Sequence, residues 1–595
     1  MSAKSNPLTR GKKQKALVLL QHNQPAEAKP LLEHVCRTDS HDIEAWLLLG
    51  ATCQELGSLM EADSAYRQVI TLRPDFLEAW CNLGSVLELR GRPVEALDCY
   101  RRALQINPDM PELRYNAGNV LQTLGRHAEA EQSYREAVRL RPAYVEAHDH
   151  LGVATAKQGR HDEAIAHYRR ALTIRPDYAA SHYNLAMSLK HLDRLDEAVA
   201  SYRRALAINP RDTDAHVNLG VVLVKQKKFD EAVAHYRESL RLKPDNAGAY
   251  NNLGMACVEQ KKFDEAAAYY DEALRLKPDD ADVHFNLALL LLLRGDFHNG
   301  WNEYHWRWRR EGKPPRPFPP ASWDGGHLHG KNVFLHAEQG LGDELFFLRF
   351  VPWLKQHGAG RVTYRPTPKL ASLLSRTRPI DRIAGPDETP DAGDFVFSIG
   401  DLPQLLGMER ADRIPPSLSL TPAPEKLEQV RARLAALGPP PYLGVTWRAG
   451  VKGEARGLYK EARLEYLAQT LCNVPGTVLA LQRLPGEGEL NAFSGQLGKP
   501  AHDLTALNND LEAMLALLSL IDEYVGVSNT NMHLRAAVGK TARVLVPAPP
   551  EWRWMADGRE SPWFPGFHIY RQGDDRDWDR AMEELRQDLH RALTG

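Results

Sequence analysis

The chain has 595 residues, with 75 Lys+Arg against 77 Asp+Glu and a formal charge of −2. That balance argues against a basic sheath for DNA or RNA, and 43% hydrophobic with 26% charged residues argues against a largely disordered chain. The six cysteines (Cys36, Cys53, Cys81, Cys99, Cys257 and Cys472) form no C-x-x-C pair, so they read as buried thiols of a reducing compartment. The N-terminal apolar run Ala16–Leu20 is too short for a signal-peptide core. No later run approaches the roughly 18 residues of a membrane span, so a cytoplasmic protein without a membrane span is expected.

At about 150 residues per domain the length suggests about four units, but internal repetition changes that count. Prolines fall at Pro74, Pro108, Pro142, Pro176, Pro210, Pro244 and Pro278, each 34 residues after the last. Twelve residues before each sits an alanine (Ala62 through Ala266), and eight before each a tyrosine (Tyr66 through Tyr270). Gly50, Gly84, Gly118, Gly152, Gly220 and Gly254 keep the same frame, with Ala186 and Ala288 in the two remaining places. The pattern predicts helix pairs: small residues allow close approach, tyrosine fills the gap between neighbouring pairs, and proline stops the second helix.

This periodicity resembles the tetratricopeptide repeat, which implies an all-α superhelical solenoid over residues 43–314. Degenerate copies flank the regular ones: residues 9–42 keep Ala28 and residues 281–314 keep Tyr304, as capping repeats would. Residues 1–42 are thus read as an N-terminal cap. Position six of successive repeats gives Asn82, Asn116, His150, Asn184, Asn218, Asn252 and Asn286. Asn is a mediocre helix former, and in this repeat family the stripe lines the concave groove. Two readings stay open: Asn is merely common there, or Asn116, His150, Asn184, Asn218, Asn252 and Asn286 bind an extended protein acceptor through donor and acceptor edges. A similar ladder lies in the groove of protein O-GlcNAc transferases. Homo-oligomerisation through the repeats is a further expectation.

Composition shifts at Trp301–Arg310, which is aromatic and basic, and at Lys313–Pro320, where five of eight residues are proline. The prolines predict a stiff connector over 315–330. The Trp-Arg cluster could stack on single-stranded nucleic acid; the neutral overall charge favours a terminal helix packing its aromatics on the next domain.

From Lys331 the rhythm becomes strand, loop, helix. Strands are predicted at 332–336, 361–364, 394–398, 442–447, 478–482, 523–527 and 542–546, with helices at 345–357, 426–437, 464–472 and 511–520. That alternation implies parallel sheets, and the proline-rich break at 422–441 suggests two lobes, 331–438 and 439–595, around a cleft. Two loops stand out. Glu338-Gln339-Gly340-Leu341-Gly342-Asp343-Glu344 is a glycine loop between strand and helix, lacking the third glycine of a dinucleotide fingerprint. Ser528-Asn529-Thr530-Asn531 follows a strand and opens a helix, a polar cradle suited to phosphate.

The segments "AEQGLGDE", "FLRF", "GVTWRAG", "NNDLEAMLALLSLIDEYVGVSNTNMHLRAAVGK" and "PPEWRWM…SPWFPG" resemble bacterial tetratricopeptide-linked glycosyltransferases. Their catalytic half is similar to the heptosyltransferase group, which implies an α/β GT-B domain of two Rossmann-like lobes. In domain order the chain also resembles flagellin-modifying glycosyltransferases. The resemblance implies sugar transfer from a nucleotide sugar to a Ser or Thr hydroxyl of a protein, with flagellin the leading acceptor.

It also implies roles. Asp343 matches a Gly-Asp whose carboxylate serves as general base; the alternative is an N-cap for a helix starting at Leu345. His533 matches a histidine near the donor phosphates, against a packing role. Arg448 and Lys460 would offset charge on the leaving nucleotide, with a solvated surface cation as the alternative for each. Gly340, Gly342, Gln482, Ser528, Asn529, Thr530 and Asn531 complete the expected donor set. The chain departs from heptosyltransferases at Ser528-Asn529-Thr530, where those carry Asp-Thr-Gly, so UDP-, GDP-, ADP- and CMP-sugars all stay open. Trp552, Trp554 and Trp563 either wall a sugar or brace a lobe. No metal and no cofactor are expected, the run Asp574–Asp577 reading as a solvated tail. Two other functions remain: a non-catalytic adaptor with a degenerate nucleotide-binding half, and a lipopolysaccharide glycosyltransferase.

Overall fold

A computed structural model describes residues 7–312, 316–318, 323, 326–391, 394–449 and 460–594. Much of the expected connector at 315–330, and the loop 450–459, lie outside these residues. The chain divides into two compact units, Met1–Pro244 and Asp245–Gly595.

The first unit is all-helical. Fourteen described helices run from Pro7–Gln21 to Phe229–Leu242, pairing in sequence order. The second helix of each regular pair stops just before its proline, as Leu59–Leu72 does ahead of Pro74. The glycines have a specific partner: a Cβ on Gly84 would sit 2.4 Å from the Tyr100 ring, and one on Gly220 2.4 Å from Tyr236. Tyrosine therefore packs on the glycine of its own pair, not only between pairs as the spacing suggested. Its hydroxyl reaches onward, as Tyr134 does to His150 Nδ1 of the next pair at 3.3 Å. A second periodic bond was not read from the sequence. Trp80, His148, His182 and His216 each bond the carbonyl six residues back, at Pro74, Pro142, Pro176 and Pro210, and so staple the inter-repeat turn.

The second unit opens with two further helix pairs, Ala247–Glu259 with Phe263–Leu276 and Ala281–Arg294 with Phe297–Tyr304, then a 3-10 turn His305–Arg309. Two parallel sheets follow. The first contains β1 (Val333–His336), β2 (Val362–Arg365), β3 (Arg382–Ile383) and β4 (Phe395–Ser398) in the order β3-β2-β1-β4. The second contains β5 (Tyr442–Thr446), β6 (Thr477–Ala480), β7 (Ala501–Asp503), β8 (Glu523–Val527), β9 (Arg543–Val546) and β10 (His568–Arg571) in the order β10-β9-β8-β5-β6-β7. Val333 lies opposite Val362 and Phe395, and Val445 opposite Ala480 and Val525. Each sheet winds outward from its first strand, with its fourth strand on the other side. That reversal opens a crevice at the carboxyl ends of β1 and β4, and another at β5 and β8.

The last helix pair shares its core with the sheets. Trp301 meets Trp552 at 5.4 Å and Phe347 at 6.1 Å, and Phe297 meets Trp563 at 5.0 Å. The aromatic run at Trp301–Arg310 thus packs within the second unit, as the charge balance favoured. Trp552, Trp554 and Trp563 are all buried and brace this junction. Cys81 and Cys472 are half-buried, so not all six thiols are interior. Among the described residues no helix is long and apolar enough to cross a membrane.

Candidate active site

The loop after β1 and the helix after β8 come together. The helix Leu341–Phe347 starts with Gly340 as its N-cap, four residues earlier than the sequence suggested. Asp343 therefore lies inside the first turn and is not the cap. A Cβ on Gly342 would lie 3.2 Å from His533 Cδ2 and 3.7 Å from the Thr530 Cα. Glycine is needed at 342 because the two helices pack backbone to ring at that point.

His533 is buried against Phe564 and Phe346, with ring centroids 5.3 and 6.1 Å away. Burial first, then Arg553 and Arg349, hold its pKa well below the imidazole range, so it is a neutral ring. Asp343 is ion-paired with Arg553, Arg553 also with Glu551, and Glu551 also with Lys460. Burial pulls Glu551 upward, but Lys460 and Arg553 outweigh it and hold the carboxylate ionised far below its usual range. Arg553 and Glu551 carry no signal in the sequence, where "PPEWRWM" stands out only for its tryptophans.

Several expected donor residues are occupied by the fold itself. Gln482 is 1% exposed; its Oε1 accepts from Trp447 N and Arg448 N, and its Nε2 donates to Arg448 O and Arg483 O. That fills the hydrogen-bonding capacity of an amide, so Gln482 stitches the ends of β5 and β6 together. Asn529 caps the helix Thr530–Ala537 through Asn531 N and Met532 N, accepts from Tyr524 Oη at 3.1 Å and donates to Thr446 Oγ1 at 2.9 Å. It shapes the cradle and is not free to line it. Ser528 and Asn531 are buried, while Thr530 is half-buried. Arg448 is no surface cation: it is buried and bidentate on Glu489 at 2.8 and 3.1 Å, with Glu461 at 3.6 Å. Lys460 is not a solvated cation either, being half-buried on Glu551.

The crevice at β1 and β4 is filled from the repeat side. Arg307 forks onto Glu338 at 2.9 Å through two nitrogens and reaches Asp401 at 2.7 Å. Beside it lies a cleft of about 320 Å³, lined by Phe285, Tyr304, Trp308, Gln339, Gly340 and Asp343 among others. Asp343 therefore edges a hollow whose opposite wall is the last helix pair. The acidic run lines a separate hollow of about 790 Å³ with Arg559 and Arg580. There Asp574 pairs with Lys261 at 2.6 Å and Arg576 with Glu259 at 2.9 Å, while Asp574, Asp575 and Asp577 stay exposed, so the run is solvated as expected but tethered at two points and followed by the helix Asp579–Thr594. Among the described residues no group of three or more His, Cys, Asp and Glu could hold a metal ion.

The position-six residues divide. In the first unit, Asn184 donates to buried Asp149 at 3.1 Å, Asn218 donates to Tyr183 Oη at 3.1 Å, and His150 sits between Tyr115 and Tyr134 hydroxyls at 3.3 Å. In the second unit, Asn286 donates to Asn251 at 3.0 Å. Among the described residues Asn116 and Asn252 have no side-chain partner.

Family profiles bear on the helical part. Tetratricopeptide repeat profiles match residues 43–76, 75–143, 115–179, 183–247, 223–281 and 251–298. Protein FlbA of Caulobacter vibrioides is 29% identical over 320 residues, covering 50% of this chain and 52% of that protein. The chain thus spans about half the length of this curated relative. Among solved structures, PilF of Pseudomonas aeruginosa is 22% identical with a TM-score of 0.31, covering 34% of this chain and 92% of its own. MamA of Desulfovibrio magneticus is 21% identical with a TM-score of 0.27, covering 28% and 95%. Residues 43–298 are an array of tetratricopeptide repeats.

Proposed function

We propose that the chain is a glycosyltransferase with two GT-B-like lobes, moving a sugar from a nucleotide donor to a hydroxyl of a protein held by the repeats. The observation that carries this reading is the position of Asp343. Its carboxylate edges the 320 Å³ cleft, and the residue just before it, Gly342, packs on His533. A base there would take the proton of an acceptor hydroxyl in the cleft as that oxygen attacks the anomeric carbon. Thr446, Ser528 and Asn529 at the ends of β5 and β8 mark the crevice in which a nucleotide would lie. Flagellin is the leading acceptor.

The ion pairs favour a second reading. Asp343 is tied to Arg553 and Arg448 to Glu489, so a non-catalytic adaptor that binds a nucleotide is also consistent with this site. Intact-mass analysis of surface and secreted proteins from cells with and without this chain separates the two. The transferase reading expects a hexose-sized or larger mass difference on at least one protein; no difference on any favours the adaptor.

A further inference from the structure

Arg349 and Arg553 both lie over the Phe346 ring, at 4.3 and 4.7 Å from its centroid. Arg553 is also 4.4 Å over Trp552. Arg349 is 1% exposed and bonds only neutral groups: Phe346 O, Trp563 O at 2.7 Å and Ser417 Oγ at 3.1 Å. Arg553 is 6% exposed, and among the described residues its Nε has no hydrogen-bond partner. Lys460 and Arg553 pair with Glu551, and Arg553 also with Asp343, while Arg349 adds a third cation near neutral His533 with no carboxylate partner among the described residues. A buried positive surplus is costly unless an anion joins it. The guanidinium that would reach such an anion is the one that now pairs with Asp343.

We propose that Arg553 holds the Asp343 carboxylate, whose side chain is 32% exposed at the cleft, in an ion pair until a phosphate of the donor nucleotide draws its guanidinium away, so the base is freed only with donor bound. The inference rests on the transferase reading above. Phosphate competes well for this group because a guanidinium pairs with it through two parallel N–H bonds. The flat faces of Phe346 and Trp552 let the group slide without losing its cation–π contacts. A nucleotide shifts the two arrangements only by the difference in its affinity for them. The order of events follows: an acceptor hydroxyl arriving first meets a carboxylate already engaged.

The test uses the full chain, with UDP, GDP, ADP and CMP as probes. Calorimetry identifies which nucleotide binds. Labelling with a water-soluble carbodiimide and an amine, followed by peptide mass mapping, then reads the reactivity of Asp343. The proposal expects the binding nucleotide to raise labelling of Asp343 several-fold in the native protein. It also expects Arg553→Gln to show the raised level without nucleotide. The native titration stands by itself if that variant does not fold. A nucleotide that binds and leaves Asp343 labelling unchanged or lower overturns the release of Asp343 from Arg553 and spares the transferase reading. Failure of every nucleotide to bind overturns both.

Discussion

Arg307, in the turn that ends the repeat array, donates to Asp401 beyond β4 at 2.7 Å, and both side chains are less than 10% exposed. The same guanidinium takes both oxygens of Glu338, which begins the loop carrying Asp343. One buried cation therefore ties the last repeat, β1 and β4 together. A Cβ on Gly400 would sit 2.0 Å from Glu338 Oε1, so the loop after β4 must pass this close to the carboxylate.

Arg307→Met should destabilise the second unit by about 3–5 kcal/mol, because it leaves two buried carboxylates facing each other. Arg203→Met is the control. Its pair with Glu231 is about half exposed, and its loss should cost less than about 1 kcal/mol. Urea titrations of both variants check this; equal midpoints would contradict it.

The repeat glycines give a second prediction. Gly220→Ala pushes a methyl into Tyr236 and should cost about 1–3 kcal/mol through overpacking. Ala186 already occupies the equivalent place above Tyr202, so Ala186→Gly should cost only about 1 kcal/mol of helix propensity. Hydrogen exchange across the two repeats would read the difference locally, since arrays of this kind open repeat by repeat.

The position-six residues should separate by role. Asn184→Ala removes two hydrogen bonds from buried Asp149 and should lower stability by about 1–3 kcal/mol. Asn116→Ala touches no internal partner and should leave the melting midpoint within about 0.5 kcal/mol of native. If both variants melt alike, the division between structural and open positions does not hold.

His533 makes a pH prediction. In the unfolded chain it takes up a proton near pH 6.5. In the folded chain burial, then Arg553, Arg349 and Lys460, hold it far lower, against a weaker upward pull from Glu551. Between those values only the unfolded state carries the extra proton. Its contribution is therefore complete above about pH 6.5 and shrinks as pH falls toward the folded value. The gap in stability between native protein and His533→Gln should narrow from about pH 7.5 to about pH 5.5. Denaturation midpoints across that range measure it, and a gap of constant size would contradict the assignment.

Much of this was legible from spacing. The 34-residue frame predicted the repeats because proline, alanine, glycine and tyrosine each do one steric task at a fixed place. The strand Glu523–Val527 and helix Leu511–Leu520 appeared where apolar runs and flanking polar residues placed them. The strands β3, β7 and β10 did not: β3 and β7 are only two and three residues long, largely half-buried, with no alternation to read, and β10 was not expected either. The helix Leu341–Phe347 started early because its two glycines disguise a turn that packing on His533 fixes. Asp343 and His533 stood out in the sequence, but Arg553 did not, since its partners lie 210 and 2 residues away and only the fold brings the former near. The internal bonds of Gln482 and Asn529 were not legible for a related reason: an amide at a strand end looks available until its partners are counted.

The most direct measurement is donor turnover by the full chain, with the acceptor identified by its mass shift, comparing native protein with Asp343→Asn. The account predicts that the variant keeps its fold, still binds nucleotide, and transfers sugar about 10²–10⁴-fold more slowly, the usual contribution of a general base. Transfer by Asp343→Asn at the native rate would contradict it.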